Sequence, residues 1–288
     1  MTSALITGTS KGIGLATAVA MGRAGHKVYA TMRNPGGAPE LKTIVEKESL
    51  PVTISAMDVD SDTSVSDAFG KIFNDGDNID VLVNNAGIEK TGAVEELGLD
   101  EFRRVMETNY FGAIRCIQTV LPRMRERQSG CVINVTSIAG RLAASPFAPY
   151  TASKFALEAV SECLAQEMKA FNVRVAIVEP GIIDTSMARR IGDDPAASNY
   201  PQEQRFARLF VETLKTPASP SLVAEKILEV ATGNGWQLRH PVGPDALPFL
   251  EWRNAMTDEE WAEWGALNDD DWYTRVEADF GLQIRPTP

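Results

Sequence analysis

The sequence predicts an α/β fold, a doubly wound, seven-stranded and mainly parallel sheet flanked by helices, with a Trp-rich C-terminal extension. Three observations predict it. Short β-rich runs alternate with amphipathic stretches of helical length, the pattern of a parallel sheet with crossover helices. Several runs are apolar nearly throughout, as strands covered on both faces must be. A glycine-rich turn follows the first run directly and opens a helix. At 288 residues, 44% of them hydrophobic, the chain can bury a sizeable core.

The elements follow in order. Strands are expected at residues 4–7, 28–31, 52–57, 80–84, 131–136 and 173–179, with a weaker one at 236–240. Helices are expected at 13–23, 63–73, 101–127, 150–171 and 221–232. Composition shifts twice. Residues 187–220 are rich in Pro, Ala and polar groups around a helical pattern at 202–214. Residues 241–288 carry Trp252, Trp261, Trp264 and Trp272 in an acidic setting. A separate domain of that size would bury too little, so one domain over 1–288 is expected, with the 241–288 extension packed on it.

The net charge of −11 disfavours phosphate backbones and anionic lipid, and no basic patch offsets it. Neither nucleic acid nor membrane is expected as a partner. No run approaches the ~18 apolar residues of a membrane span, and the N-terminus lacks the basic region of a signal peptide. Cys116, Cys131 and Cys163 are far apart and without zinc spacing, which reads as reduced thiols in a cytoplasmic protein. The acids Asp269-Asp270-Asp271 lack calcium-loop spacing and read as a solvated turn, so no metal site is expected.

The first loop reads Thr7-Gly8-Thr9-Ser10-Lys11-Gly12-Ile13-Gly14. Its glycines permit a tight turn and bring backbone N–H groups and a helix N-terminus within reach of a pyrophosphate. The fourth strand ends in Asn84-Asn85-Ala86-Gly87, where open α/β sheets bind ligands. Tyr150 and Lys154 are four residues apart on one helix face, their Cβ atoms ~5–6 Å apart. A free phenol has a pKa of ~10; a nearby ammonium favours phenolate and would make the tyrosine a usable general acid/base. The chain has only two histidines to serve instead. Ser137, at the end of the fifth strand, can stabilise charge on a substrate oxygen.

Taken in order, Thr-Gly-x-x-x-Gly-x-Gly, Asn-Asn-Ala-Gly, the serine after the fifth strand and Tyr-x-x-x-Lys resemble the short-chain dehydrogenase/reductase family, over about residues 3–185. The resemblance implies a Rossmann-type fold and hydride transfer by an NADP(H)-preferring carbonyl reductase or hydroxysteroid-dehydrogenase-like member. It implies a catalytic set of Asn109, Ser137, Tyr150 and Lys154, with Asn109 bending its helix and anchoring a water relay to Lys154. It also implies a dinucleotide site built from Gly8, Ser10, Lys11, Gly12, Ile13, Gly14, Asp58, Val59, Asn85, Ala86, Gly87, Tyr150, Lys154, Pro180, Gly181, Ile183 and Thr185.

NAD enzymes of this kind hold the adenosine ribose with an acid after the second strand. Here that stretch is Thr31-Met32-Arg33-Asn34, and Arg33 with Lys11 suits a 2′-phosphate; NADP(H) is therefore the expected cofactor. The flanking apolar residues Ile138, Leu142, Phe147, Ile182 and Met187 suggest a small hydrophobic ketone, aldehyde or secondary alcohol. Residues 186–220 are expected to form a substrate lid. Helices 101–127 and 150–171 resemble the family's interface helices, implying a homodimer or homotetramer. The competing readings are an NAD-dependent alcohol dehydrogenase of the same family and a non-catalytic dinucleotide-sensing protein.

Overall fold

The computed structural model describes residues 2–193 and 197–285. The strands are β1 (Ser3–Thr7), β2 (Lys27–Met32), β3 (Val52–Ala56), β4 (Val81–Asn84), β5 (Gly130–Val135), β6 (Val173–Pro180) and β7 (Arg239–Val242). They form one sheet in the order β3-β2-β1-β4-β5-β6-β7. Every pairing is parallel, so "mainly parallel" becomes wholly parallel among the described residues. The order reverses between β1 and β4, which opens a crevice at the carboxyl ends of those two strands.

The two-residue period of the strands divides the core into two layers. Leu5, Tyr29, Leu82, Val132 and Val175 face one layer with Phe69, Val120 and Leu164. These come from α3 (Asp62–Asn74), α5 (Gly112–Arg127) and α6 (Ala148–Lys169). Ile6, Val28, Val83, Ile133 and Val178 face the other layer with Ala18, Leu41 and Ile227. These come from α1 (Gly12–Arg23), α2 (Pro39–Glu48) and α9 (Pro220–Thr232).

The helix expected at 101–127 is divided. α4 (Leu99–Met106) passes into a π-helical turn over Glu107–Phe111 before α5 begins. Apolar periodicity cannot distinguish a one-residue wider turn from a continuous helix. The strand expected at 236–240 begins only at Arg239, because Trp236 and Gln237 belong to the loop before it, with Lys169 Nζ 3.4 Å over the Trp236 ring centroid. Pro241 is tolerated there because β7 is an edge strand.

The segment expected as a lid, 186–220, holds α7 (Ser186–Asp193) and α8 (Gln202–Thr213); its residues 194–196 lie outside the described residues. The extension, of which 286–288 likewise lie outside, forms α10 (Ala246–Asn254), α11 (Asp258–Ala266) and α12 (Asp269–Phe280). Asp269-Asp270-Asp271 make the first turn of α12, where acids suit the helix dipole. Trp252 meets Trp261, Trp264 and Phe280 edge to face, while Trp261 and Trp264 stack at 5.1 Å. Trp261 Nε1 donates to the Ala143 carbonyl at 2.9 Å, fastening α11 to the loop after β5.

Candidate active site

One cavity of about 1020 Å³ runs from the glycine turn, across the carboxyl ends of the strands, to the C-terminal helices. Its first end is a backbone cradle. Gly8 (φ +70°) and Gly12 (φ +59°) occupy left-handed conformations, and a Cβ on Gly8 would lie 2.7 Å from Ala86 Cα. A Cβ on Gly14 would overlap the Gly8 carbonyl. The N-cap of α1, Lys11, makes no side-chain cap, so the first-turn N–H groups remain available to an anion. Ser10, Lys11 and Ile13 line this end, as does Arg33, which is exposed at the end of β2. This donor set fits a dinucleotide.

Asn85 works through the backbone. Its Nδ2 donates to the Thr7 and Gly8 carbonyls at 2.9 and 3.1 Å, and its own N–H, like that of Ala86, donates to Thr7 Oγ1. Thr7, the first residue of the glycine motif, to which the motif reading assigns no role, is the pin that joins β4 to the glycine turn. Asp58 and Val59 line the cavity beyond β3. Asp58 Oδ1 accepts from Asp60 N–H, while Ser61 caps α3. Asp60 accepts from Thr108 Oγ1 at 2.9 Å, tying the end of β3 to the π-helical turn.

At the reacting end, β5 delivers Ser137 and α6 delivers Tyr150 and Lys154. The Ser137 Oγ accepts from Ala139 N–H at 3.1 Å and donates to the Pro180 carbonyl at 3.3 Å. Tyr150 stacks on Phe147 with centroids 4.4 Å apart. Lys154 Nζ donates to the Val135 carbonyl at 2.9 Å and lies 5.5 Å from the Tyr150 ring centroid. Burial pushes the Tyr150 phenol up to about 12, against the opposing influence of the neighbouring Ser137 hydroxyl. Burial pulls the Lys154 amine down to about 8. The expectation that Lys154 depresses the phenol is therefore not met in the protein alone, where removal from water outweighs any ammonium attraction.

Asn109 stands apart from the cavity. Its Oδ1 accepts from Ile88 N–H at 2.8 Å, and its Nδ2 donates to the Ile88 carbonyl and Ser153 Oγ, each at 2.9 Å. The side chain thus clamps the strand β4 exit to α6. Asn109 Oδ1 and Lys154 Nζ nonetheless lie against the same side of Gly87, 3.3 and 3.7 Å from where a Cβ on it would stand.

The loop after β6 closes the site. Pro180, Gly181, Ile183 and Thr185 line the cavity, and Thr185 Cγ2 would lie 3.3 Å from a Cβ on Gly12. Asp245, from the distant β7–α10 connection, accepts from Ile182 N–H at 2.7 Å and fills the space beside Gly181. Nothing in the local sequence announces that contact. The far end of the cavity is mostly apolar, with Leu142, Phe147, Phe206, Trp252 and Trp261 among its walls beside Gln202 and Arg205.

The short chain dehydrogenase family profile matches residues 2–196. The Bacillus subtilis oxidoreductase YusZ is 33% identical over 273 residues, covering 92% of this chain and 96% of that protein. Bovine (Bos taurus) retinol dehydrogenase 8 is 36% identical over 222 residues, covering 76% of this chain and 70% of that one. A short-chain dehydrogenase structure from Streptomyces avermitilis superposes with a TM-score of 0.77 at 31% identity, covering 91% and 95%. With a nicotinamide-dinucleotide fold, the family's ordered motifs and relatives of this extent, the chain belongs to the short-chain dehydrogenase/reductase family of oxidoreductases.

Proposed function

We propose that this protein transfers a hydride between NADP(H) and a hydrophobic ketone, aldehyde or secondary alcohol, with Tyr150 as general acid/base. One observation carries the reading. Tyr150, Ser137 and Lys154 line a single cavity whose one end is a backbone phosphate cradle and whose other end is mostly apolar. The bound nicotinamide would supply or accept the hydride.

The chain's own groups do the rest. Ser137 Oγ–H turns from the Pro180 carbonyl to the substrate oxygen and stabilises charge developing there. Tyr150, protonated across the neutral range, gives its proton to that oxygen during reduction. The phenolate that this leaves, which is the base of the oxidative direction, needs the Lys154 charge and that of an oxidised nicotinamide together. Phe147, Leu142 and the tryptophans exclude water from the transfer. The described helices of the expected lid, α7 and α8, would cover this end.

The NADP(H) preference rests on Arg33 at the cavity rim and on the absence of an acid after β2. One charge-assisted hydrogen bond corresponds to a preference of about 10- to 100-fold. Comparing kcat/KM for NADPH and NADH with a panel of ketones tests this; equal values or an NADH preference overturn it. A homodimer or homotetramer belongs to the same proposal, on the exposed Phe111 and Phe155, one in each of the expected interface segments 101–127 and 150–171. The free thiols Cys116, Cys131 and Cys163 support a cytoplasmic location.

A further inference from the structure

Directly behind the reacting residues lies a cluster of two carboxylates and two guanidiniums to which the mechanism assigns no role. Glu158 follows Lys154 by one helical turn on α6 and is 4% exposed. Its Oε1 accepts from Thr136 Oγ1 at 2.7 Å, and its Oε2 pairs with Arg239 Nε at 3.0 Å. Glu179, on β6 just before Pro180, is fully buried, and neither of its carboxylate oxygens has a hydrogen-bond partner among the described residues. It is paired loosely, with Arg141 at 3.5 Å and Arg239 at 3.7 Å.

The cluster joins every segment that carries the reacting centre. Lys154 Nζ bonds to the Val135 carbonyl and Glu158 to the next residue of β5, Thr136. Arg141 closes the turn that begins at Ser137. That turn lies so close to α6 that a Cβ on Gly140 would stand 2.8 Å from Glu158 Cγ and 3.2 Å from the Lys154 carbonyl. The charges are unevenly placed. The side chains of Glu158 and Glu179 are 6% and 0% exposed, whereas those of Arg141 and Arg239 are 34% and 29% exposed. Solvent therefore screens the guanidiniums more than the carboxylates, and Glu158, one helical turn from Lys154, is the carboxylate nearest to it in the chain.

We propose that Glu158 is a positioning residue for the reacting centre: clamped by Thr136 and Arg239, its carboxylate holds the Lys154 ammonium in its charged form. This rests on the functional reading above. The charged and titratable groups facing Glu158 are Lys154 and Glu162 on α6, Arg141 beyond the Ser137 turn, Glu179 on β6 and Arg239 on β7. Glu162 is half exposed and, among the described residues, pairs only with Arg239, so it contributes little. The charge of Glu158 opposes the effect of burial on Lys154. Glu179, pushed up to about 7 by burial and by Glu158, is ionised where Lys154 titrates.

The experiment is the pH profile of NADPH-dependent reduction in wild type, Glu158→Gln, Arg239→Gln and the control Glu162→Gln, with NADPH binding and thermal unfolding followed in parallel. Glu158→Gln keeps an acceptor for Thr136 and removes the charge. Its alkaline limb moves down by about one pH unit, a loss of about fivefold at pH 8. Arg239→Gln removes a neighbouring positive charge and moves the limb up, while Glu162→Gln leaves it in place. A Glu158→Gln limb at the wild-type position overturns the proposal, as does a downward shift in Arg239→Gln if Glu158→Gln fails to fold. A wild type that neither binds NADPH nor reduces any carbonyl refutes the functional reading instead.

Discussion

At the residue scale, the site depends on two groups whose pKa values burial drives apart. The Tyr150 phenol rises to about 12 and the Lys154 amine falls to about 8. Lys154 is charged below about 8 and neutral above it, so its contribution is present at neutral pH and lost as pH rises through that value. The rate of ketone reduction should therefore fall above pH ~8, while Tyr150 stays protonated. A profile flat to pH 10 would show that the Lys154 charge is not required. The sequence made Tyr150, Lys154 and Ser137 legible because their spacing is local to one helix and one strand end. It did not reveal the roles of Thr7, Glu158 or Asp245, whose partners stand 78, 81 and 63 residues away in the chain. Asn109 was legible as a helix-bending residue, yet its side chain bonds to Ile88 and Ser153 rather than facing the cavity.

At the element scale, the parallel strands and their crossover helices were legible from apolar runs and their alternation. The helices with weak apolar faces were not. α2 buries only Leu41, and α11 buries no residue fully, so neither produces a strong periodic signal. The C-terminal helices are held by aromatic contacts among themselves and to the substrate end. Trp272 on α12 is 5% exposed, packs 5.5 Å from Trp264 and lines the cavity. Replacing it with alanine should cost about 3–5 kcal/mol of stability in denaturant titrations. A loss below 1 kcal/mol would mean that the extension is not a packed part of the fold.

At the scale of the whole molecule, the switch in strand order between β1 and β4 explains why segments distant in sequence meet at one crevice. The glycine turn comes from the first crossover, Asn85 to Gly87 from β4, Ser137 from β5, and the Pro180 loop from β6. The C-terminal helices then lay an aromatic wall over the end where Tyr150 stands. No described helix is long and apolar enough to cross a membrane. The central claim is that Tyr150 is the proton carrier for NADPH-dependent reduction. Single-turnover reduction of a hydrophobic ketone by Tyr150→Phe, with NADPH affinity measured on the same sample, tests it most directly. The predicted result is a rate lower by about 100- to 10,000-fold with NADPH affinity unchanged; a wild-type rate would contradict it.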